Sequence, residues 1–152
     1  MKLSTRSRYG VRLLLDMALH GKEGPVRLGD IAERQAIPVK YLEQIIIPLK
    51  KADYVRSTRG PKGGHMLARD PETITVGEIV RLLEGGLRLT KCAMNPDSCE
   101  RSEYCVTRFL WKEATDAIRL RLYSITFSDL VQRSQGVPSL RECTEDDILS
   151  GI

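Results

Sequence analysis

The chain has 152 residues, of which 41% are hydrophobic and 29% charged, a balance that suits one core-forming domain with at most a small appended element and excludes a disordered chain. No apolar run approaches the roughly 18 residues of a membrane span, and the first residues lack the apolar stretch of a signal peptide, so we expect a cytoplasmic protein with no membrane partner. Lys and Arg outnumber Asp and Glu by 16 to 10 over residues 1–90, whereas over residues 91–152 the numbers are 8 and 10. The basic front half suits a polyanionic partner, although its charge alone fits a solvated surface equally well.

Two amphipathic helices are predicted within the first 35 residues. Apolar residues recur every three to four positions up to about residue 20, behind Ser4 or Thr5 as a helix cap, and again from about Leu28 to Gln35. The stretch Gly21–Pro25 separates the two helices, because glycine and proline interrupt helical structure.

A third helix is predicted from Pro38 to about Asp53. Proline fits the first turn of a helix, where its missing N–H is not needed, whereas Pro48 should bend the helix or end it early. A short helix, a turn of three or four residues and a second helix form the helix-turn-helix signature. The sequence therefore predicts a helix-turn-helix in its first third.

Two short strands are predicted next, Tyr54–Thr58 and His65–Ala68, joined by the turn Arg59–Gly64, which is rich in glycine and basic residues. A helix-turn-helix followed by a basic hairpin indicates a winged helix. A rival interpretation of the turn is the phosphate-cradling loop of a nucleotide enzyme. It is disfavoured because such loops open directly into a helix, whereas a strand follows here.

A fourth helix is predicted over Val76–Glu84, with Thr75 and Glu78 at the spacing of a capping box. Residues 87–104 are loop-like. A long helix then runs from about Ser102 to residue 123, and we expect its wide apolar surface to pack on a second subunit.

A last short helix is predicted from Thr126 to Arg133, capped by Thr126 or Ser128, and a polar tail follows it. The predicted fold is therefore mainly α with a small β-hairpin. Its predicted parts are a winged helix-turn-helix domain over residues 1–86, a cysteine-bearing loop over 87–105, a dimerisation helix with a short final helix over 102–134, and a flexible tail over 135–152.

The third helix is expected to lie in the major groove of DNA. Gln44 suits bidentate pairing with adenine, whereas Glu43 would repel phosphates unless it accepts a hydrogen bond from a cytosine amino group. Arg59 would enter the minor groove and Lys62 would pair with phosphates; a solvated helix face is the alternative. The residues predicted to contact DNA are Arg6, Arg8, Lys40, Tyr41, Glu43, Gln44, Ser57, Arg59, Gly60 and Lys62.

Three cysteines, Cys92, Cys99 and Cys105, are spaced C-x6-C-x5-C, and the remaining thiol, Cys143, lies far along the chain. Thiolates suit zinc and iron–sulfur clusters, but zinc sites usually have tighter C-x2–4-C spacing. Structural disulfides are rare in the reducing cytoplasm. Three free cysteines or a reversible disulfide sensor are the alternatives.

The chain also carries, in this order, the stretches Met1–Ser4 through Arg8–Gly10, Tyr41–Gln44, Arg59–Gly64, the three cysteines, and Leu110–Trp111. With these stretches, about residues 1–134 resemble the bacterial IscR/NsrR/RirA family of winged-helix regulators. The resemblance implies a homodimer that binds operator DNA and whose interface is built by the long helix. It also implies an iron–sulfur cluster held by Cys92, Cys99 and Cys105, whose state changes the affinity for DNA.

Two positions depart from the ligand patterns of that family. Members with a 2Fe–2S cluster have a histidine ligand where this chain has Arg108, which cannot ligate iron. Some 4Fe–4S members use an aspartate of the first helix, and the matching position here is Arg8. The cluster type, 2Fe–2S or 4Fe–4S, therefore stays open. The candidates for the fourth ligand are Asn95, Asp97, Glu100, Glu103, a small exogenous ligand, or none.

Three functions are weighed. The leading hypothesis is a sequence-specific transcriptional regulator, a repressor, controlled by an iron–sulfur cluster. The alternative is a DNA-binding regulator without a cluster that senses thiol oxidation, a small metabolite or a partner enzyme. An iron–sulfur redox enzyme or electron carrier is disfavoured, because the two histidines, His20 and His65, have no catalytic partner in the sequence. We therefore expect that the protein is not an enzyme.

Overall fold

The structure, a computed structural model, describes residues 3–136. These residues fold mainly into helices, with one two-stranded hairpin among them. The predicted fold class is thereby confirmed. The predicted flexible tail lies outside the described residues except for its first two positions, 135 and 136, and Cys143 lies outside them as well.

The first helix, α1, spans Thr5–His20 and packs against most of the other elements. The Ser4 hydroxyl accepts a hydrogen bond from the backbone N–H of Ser7 at 3.3 Å, which caps the helix and confirms one of the two predicted caps. Leu13 and Leu14 are fully buried. Because these side chains lie on the apolar face of α1, that face forms one wall of the core.

Two helices, α2 at Leu28–Gln35 and α3 at Val39–Lys51, form the predicted helix-turn-helix. Ala36 ends α2 in the left-handed conformation, with φ at 50°, and its N–H donates to carbonyls in the last turn of α2. Ile37, the next residue of the turn, is almost completely buried. Because Ile37 is anchored in the core, the turn holds α2 and α3 at a fixed angle to each other.

Pro48 does not end α3 early, since the helix continues to Lys51. A proline lacks an N–H and its ring crowds the carbonyl four residues earlier, but the N–H of Ala52 still donates to the Pro48 carbonyl at 3.0 Å. The last turn therefore stays closed. At the other end, Pro38 is the N-cap, one position before the first helical residue.

The hairpin consists of β1 at Val55–Thr58 and β2 at Gly64–Leu67, paired antiparallel. The first strand begins one residue later than predicted, and the second lies one residue earlier at both ends. Val26 and His65 exchange two backbone hydrogen bonds, both of 2.8 Å, so the segment before α2 is bonded to β2. This bridge fastens the wing to the helix-turn-helix.

The fourth helix, α4, spans Val76–Glu84 and has the predicted capping box of Thr75 and Glu78. It ends at Gly85, whose φ of 72° favours glycine. The stretch predicted as a loop contains a short helix, α5, at Lys91–Met94, followed by a single 3-10 turn.

The long helix, α6, spans Val106–Tyr123 and therefore begins about four residues later than the sequence predicts. The buried hydroxyl of Ser102 lies between the carbonyls of Pro96 and Cys99 and shares its one hydrogen with them. These bonds hold Ser102 in the turn before the helix, so it cannot start the helix. The last helix, α7, spans residues 127–134 and is capped by Thr126, one of the two predicted caps.

The core lies between α1, α3, α4 and the hairpin, and Phe127 of α7 completes it. By contrast, α6 contributes a single buried side chain, Thr115. No helix within residues 3–136 combines the length and the hydropathy that a membrane crossing requires.

Candidate nucleic-acid interface and cysteine loop

The outer face of α3 presents three of the predicted DNA contacts, since Lys40, Glu43 and Gln44 are all exposed. Tyr41 is half-buried instead, and its ring lies edge-on to the ring of Tyr9 with the ring centroids 5.5 Å apart. Tyr41 therefore packs on α1, and only part of its side chain is available to DNA.

The start of α1 presents Arg6 and Arg8, both exposed, on either side of the buried Ser7. Glu84, the last residue of α4, accepts hydrogen bonds from the Ser4 backbone N–H at 2.9 Å and from the Ser4 hydroxyl at 2.6 Å. These two bonds fasten the start of α1, which carries both arginines, to the end of α4.

The wing exposes the other predicted contacts, Ser57, Arg59, Gly60 and Lys62. Gly60 has a φ of 114°, which a side chain would strain. The Ser57 hydroxyl is bonded to His65 Nδ1 at 2.9 Å, so it serves the hairpin itself.

His65 lies on the second strand of the wing and is half-buried. Burial lowers its pKa, and the charge of Lys50 lowers it further. At neutral pH the ring is therefore uncharged, and its contribution to the wing is packing and the hydrogen bond with Ser57.

Further basic residues extend this surface and were missed from sequence. Lys50 and Lys51 are exposed at the end of α3, and Arg56 is exposed on β1. Arg27, just before α2, donates to the carbonyl of Pro61 and so holds the tip of the wing. Two sequence signals could have placed Lys50, Lys51 and Arg56 on the outer surface. They are the helical period of α3 and the alternation of inward and outward side chains along β1.

A buried carboxylate fixes the helix-turn-helix on α1. Asp16 is fully buried, and its oxygens accept hydrogen bonds from Arg34 at 2.6 and 3.1 Å and from the Gln35 side chain at 3.0 Å. The hydrogen bond with Asp16 raises the pKa of Arg34. From α1, Arg12 Nε donates to the Gln35 side-chain oxygen at 3.0 Å. Two polar side chains of α1 thus set the position of α2, and through it that of α3.

The three cysteines of the predicted cluster loop are free thiols. Cys92 lies in α5, and its sulfur is 3.4 Å from the Thr90 hydroxyl. Cys99 is exposed. Cys105 is the N-cap of α6, and a hydrogen bond with the Thr107 hydroxyl, at 3.2 Å, lowers the pKa of its thiol.

The side chains of this loop fit an iron–sulfur cluster by their chemistry, because three thiols lie within fourteen residues. They are not gathered into a ligand set, since no three His, Cys, Asp or Glu side chains of residues 3–136 lie together as metal ligands. Of the candidates for a fourth ligand, Asn95 already caps the 3-10 turn, by accepting from the Asp97 N–H at 3.3 Å. The other three, Asp97, Glu100 and Glu103, are exposed.

Arg108 occupies the position at which the family resemblance implies a histidine ligand, and it binds the cysteine loop by hydrogen bonds. Its Nε donates to the carbonyl of Cys92 at 2.9 Å, and one Nη donates to the carbonyl of Ser102 at 3.4 Å. One guanidinium of α6 therefore holds both α5 and the turn that precedes α6.

The outer surface of α6 exposes large apolar side chains, four in its first two turns and one near its end. They are Val106, Phe109, Leu110, Trp111 and Leu120. The sequence predicted this apolar surface, and so much exposed apolar area along one helix is typical of a protein–protein interface.

Comparisons with known proteins agree with this architecture. Residues 3–133 match the Rrf2 family model, described as an iron-dependent transcriptional regulator. The rrf2 protein of Nitratidesulfovibrio vulgaris is 46% identical over 138 residues, which cover 91% of this chain and 92% of that protein. The solved structure of T. potens IscR is 39% identical, with a TM-score of 0.75 over 91% of this chain and 93% of that one. The structure of CymR, the global cysteine regulator of B. subtilis, is 35% identical, with a TM-score of 0.75 over 88% and 98%.

Proposed function

This chain belongs to the Rrf2 family of transcriptional regulators, and on that basis we propose that it is a repressor that binds operator DNA as a homodimer. We further propose that an iron–sulfur cluster held by Cys92, Cys99 and Cys105 controls its affinity for the operator. The observation that carries the proposal is the joining of a basic winged helix to a three-thiol loop through α4 and α6.

The DNA-binding part of the proposal places α3 in the major groove. Gln44 would read a base edge, and Lys40 would contact the phosphates beside it. The wing would carry Arg59 into the minor groove, and Lys62 would pair with phosphates. The exposed cations at the end of α3 and the start of α1 extend the same basic surface.

The dimer part rests on α6. The exposed apolar side chains of α6 would be buried against the same side chains of a second chain. Removing this apolar surface from water lowers the free energy. A symmetric dimer presents two recognition helices, and the operator would then be a near-palindrome with half-sites spaced by one or more helical turns of about 34 Å.

The proposed cluster rests on the three thiols of the cysteine loop, which are suitable ligands for iron. A bound cluster would supply iron that is lost or oxidised when iron supply or redox conditions change. To share one cluster, the sulfurs of α5, the loop and the start of α6 would have to be drawn together. Arg108 then restrains the same segment from within the chain, by its bonds to the carbonyls of Cys92 and Ser102.

Coupling to DNA follows from the packing of the described elements. The loop leaves α4 at Gly85 and enters α6 at Val106, while α4 packs on both α1 and α6. A loop that is gathered or released would shift α4 and α6 and so change the spacing of the two recognition helices in a dimer. The coupling is reciprocal, so operator DNA would in turn alter the stability of the cluster.

The experiment compares two forms of the full chain. Protein purified without oxygen is expected to be brown and to contain iron and sulfide, and chelator treatment should bleach it. A gel shift of both forms on duplexes at one salt concentration should give different affinities. Cys99→Ser is expected to abolish the visible absorption, whereas the matched control Cys143→Ser keeps it. Equal affinities of both forms at every site would eliminate the switch.

Thiol sensing without a cluster is the second candidate. It is favoured by the exposure of Cys99, a free thiol that a soluble oxidant can reach, and by the likeness to a protein described as a global cysteine regulator. Anaerobic protein that is colourless and iron-free, yet loses or gains DNA affinity on mild oxidation and recovers on reduction, would select this candidate over the first.

A further inference from the structure

Large apolar side chains are exposed in two places only within residues 3–136. Most of them lie in the cysteine loop and along α6, between Met94 and Leu120. The remaining two, Val39 and Ile47, are both on α3, with 40% and 53% of their surface exposed. Outside the cysteine loop and α6, the recognition helix α3 is therefore the one described element that offers large exposed apolar groups to a partner.

The position of Ile47 on α3 is the more informative of the two. The buried side chains of α3 are Leu42, Ile45, Ile46 and Leu49. At about 100° per residue, Ile47 points roughly 150° away from the mean direction of those four, whereas Val39 points only roughly 70° away and borders Ile46. Ile47 thus lies near the middle of the outer face, and Val39 lies at its edge.

The neighbours of Ile47 indicate what kind of partner meets this face. Glu43, Gln44 and Lys51 lie three or four positions away on the helix and are all exposed. Single exposed apolar residues are common on protein surfaces, but this one is surrounded by polar and charged groups that suit nucleic acid. An apolar protein partner would have to bury those charges without compensation.

We propose that Ile47 contacts the C5 methyl group of a thymine in the major groove and so determines specificity at that base pair. The inference rests on the proposed function, since it requires α3 to enter that groove. Among the base-edge groups in the major groove, the thymine methyl is the apolar one, and apolar side chains recognise it by contact. Ile47 would thus read the base pair next to the one read by Gln44, which lies three positions earlier on the same face.

The experiment removes the methyl group from the DNA. Duplexes that bind the full chain are selected from a random pool, with anaerobic and chelator-treated protein in parallel. Each thymine of the selected half-site is then replaced by deoxyuridine, which lacks the methyl group and keeps every hydrogen-bonding group. Fluorescence anisotropy at one salt concentration gives Kd. At one thymine of each half-site, the wild type is expected to bind about fourfold more weakly to the deoxyuridine duplex, the effect of one buried methyl-sized group.

The variant Ile47→Ala is expected to bind thymine and deoxyuridine duplexes with the same Kd at that position, since it has lost the group that makes the contact. The matched control, Val39→Ala, removes exposed apolar atoms from the edge of the same helix and should keep the fourfold ratio. Both substitutions are at exposed positions, and circular dichroism checks that the fold is kept.

The outcomes separate this inference from the proposed function. A wild-type protein that enriches no sequence would overturn both. A protein that enriches a sequence, but whose Ile47→Ala variant keeps the preference for thymine, overturns this inference alone. Loss of the preference in Val39→Ala and not in Ile47→Ala would also overturn it, because the methyl contact would then belong to Val39.

Discussion

Asp16 shows how one buried side chain can position the proposed DNA-binding surface from inside the fold. It is fully buried and bonded to two residues of α2, so its charge is compensated inside the fold. A buried charge that loses its partner is costly, since neither water nor a cation replaces the lost interaction. The geometry of the helix-turn-helix therefore depends on a polar contact with α1 as well as on the apolar core.

Removing Arg34 tests this contact. We expect Arg34→Ala to lower the free energy of unfolding by about 2–3 kcal/mol, somewhat less than for a fully buried pair because water can reach the Arg34 side. Urea unfolding measures the change. As a control, Lys112→Ala removes an exposed ion pair with Asp116 and should leave the free energy of unfolding nearly unchanged. Equal effects of the two substitutions would contradict the structural role of Asp16.

Arg108 is the second residue whose role appears only in three dimensions. Arg108 donates hydrogen bonds to two carbonyls of the cysteine loop. We therefore expect Arg108→Ala to speed amide hydrogen exchange over residues 91–105 by roughly tenfold, the effect of losing one or two charge-assisted hydrogen bonds. Exchange followed by mass spectrometry measures this. Arg101→Ala, at an exposed position in the same loop, should leave exchange unchanged, and an equal response of both variants would refute the role given to Arg108.

The sequence predicted candidate residues for DNA contact and metal binding, and these stay predictions, whereas it did not predict their contacts. The cysteines and the cations Lys40 and Lys62 were identified from residue type and position in the predicted elements, but the exposed cations at the end of α3 and on β1 were missed. The hydrogen bonds of Arg108 and the ion pair of Asp16 were not predicted, because they join residues that are 16 and 18 positions apart. A pattern of single residues carries no information about which distant polar groups meet.

At the level of elements, α4 and α6 are in close contact at Gly77. A Cβ at this position would lie 2.4 Å from a ring carbon of Tyr123 and 2.8 Å from its backbone nitrogen. The ring could rotate, but the backbone nitrogen of α6 could move only if the helix moved. Glycine at this position therefore permits the contact between the DNA-binding part and the proposed dimerisation helix.

We expect Gly77→Ala to lower the free energy of unfolding by about 1–3 kcal/mol, because overpacking outweighs the helix propensity gained by alanine. Thermal unfolding measures the change. The control is Gly29→Ala in α2, where a Cβ meets nothing within 4 Å and helix propensity should raise stability by about 0.5–1 kcal/mol. A gain in stability at both positions would show that α4 and α6 are not closely packed.

Element boundaries followed the sequence where a local signal exists. The caps of α1, α4 and α7 are side chains that bond the first turn of their own helix, so the prediction needed no tertiary information. The start of α6 was misplaced, because Ser102 resembles a cap in sequence and instead bonds carbonyls of the preceding loop. The short helix α5 was missed since four residues give too little periodicity to recognise.

For the whole molecule, the apolar face of α6 leads to a prediction about assembly. Leu120 has 74% of its surface exposed, so Leu120→Glu should leave the folded chain intact and place a charge in the proposed interface. We expect the dimer dissociation constant to rise by at least tenfold, as measured by sedimentation equilibrium. Gln132→Glu, an exposed position on α7, introduces the same carboxylate and should leave the dimer unchanged. Unaltered assembly of Leu120→Glu would place the interface elsewhere.

Phe127 has a consequence for the stability of this chain during its synthesis. Its ring is fully buried in the core formed by α1, α3 and α4. The Phe127 N–H donates to the Ile74 carbonyl at 3.0 Å, and the Val76 N–H of α4 donates to the Ile125 carbonyl at 2.9 Å. A ribosome releases the helix-turn-helix and the wing well before residue 127, yet that early segment still has a space where the ring belongs. Filling the space contributes about 1.5–3 kcal/mol. A nascent chain whose α7 has not yet left the exit tunnel should therefore be less stable, and more readily cleaved by proteases, than the finished chain.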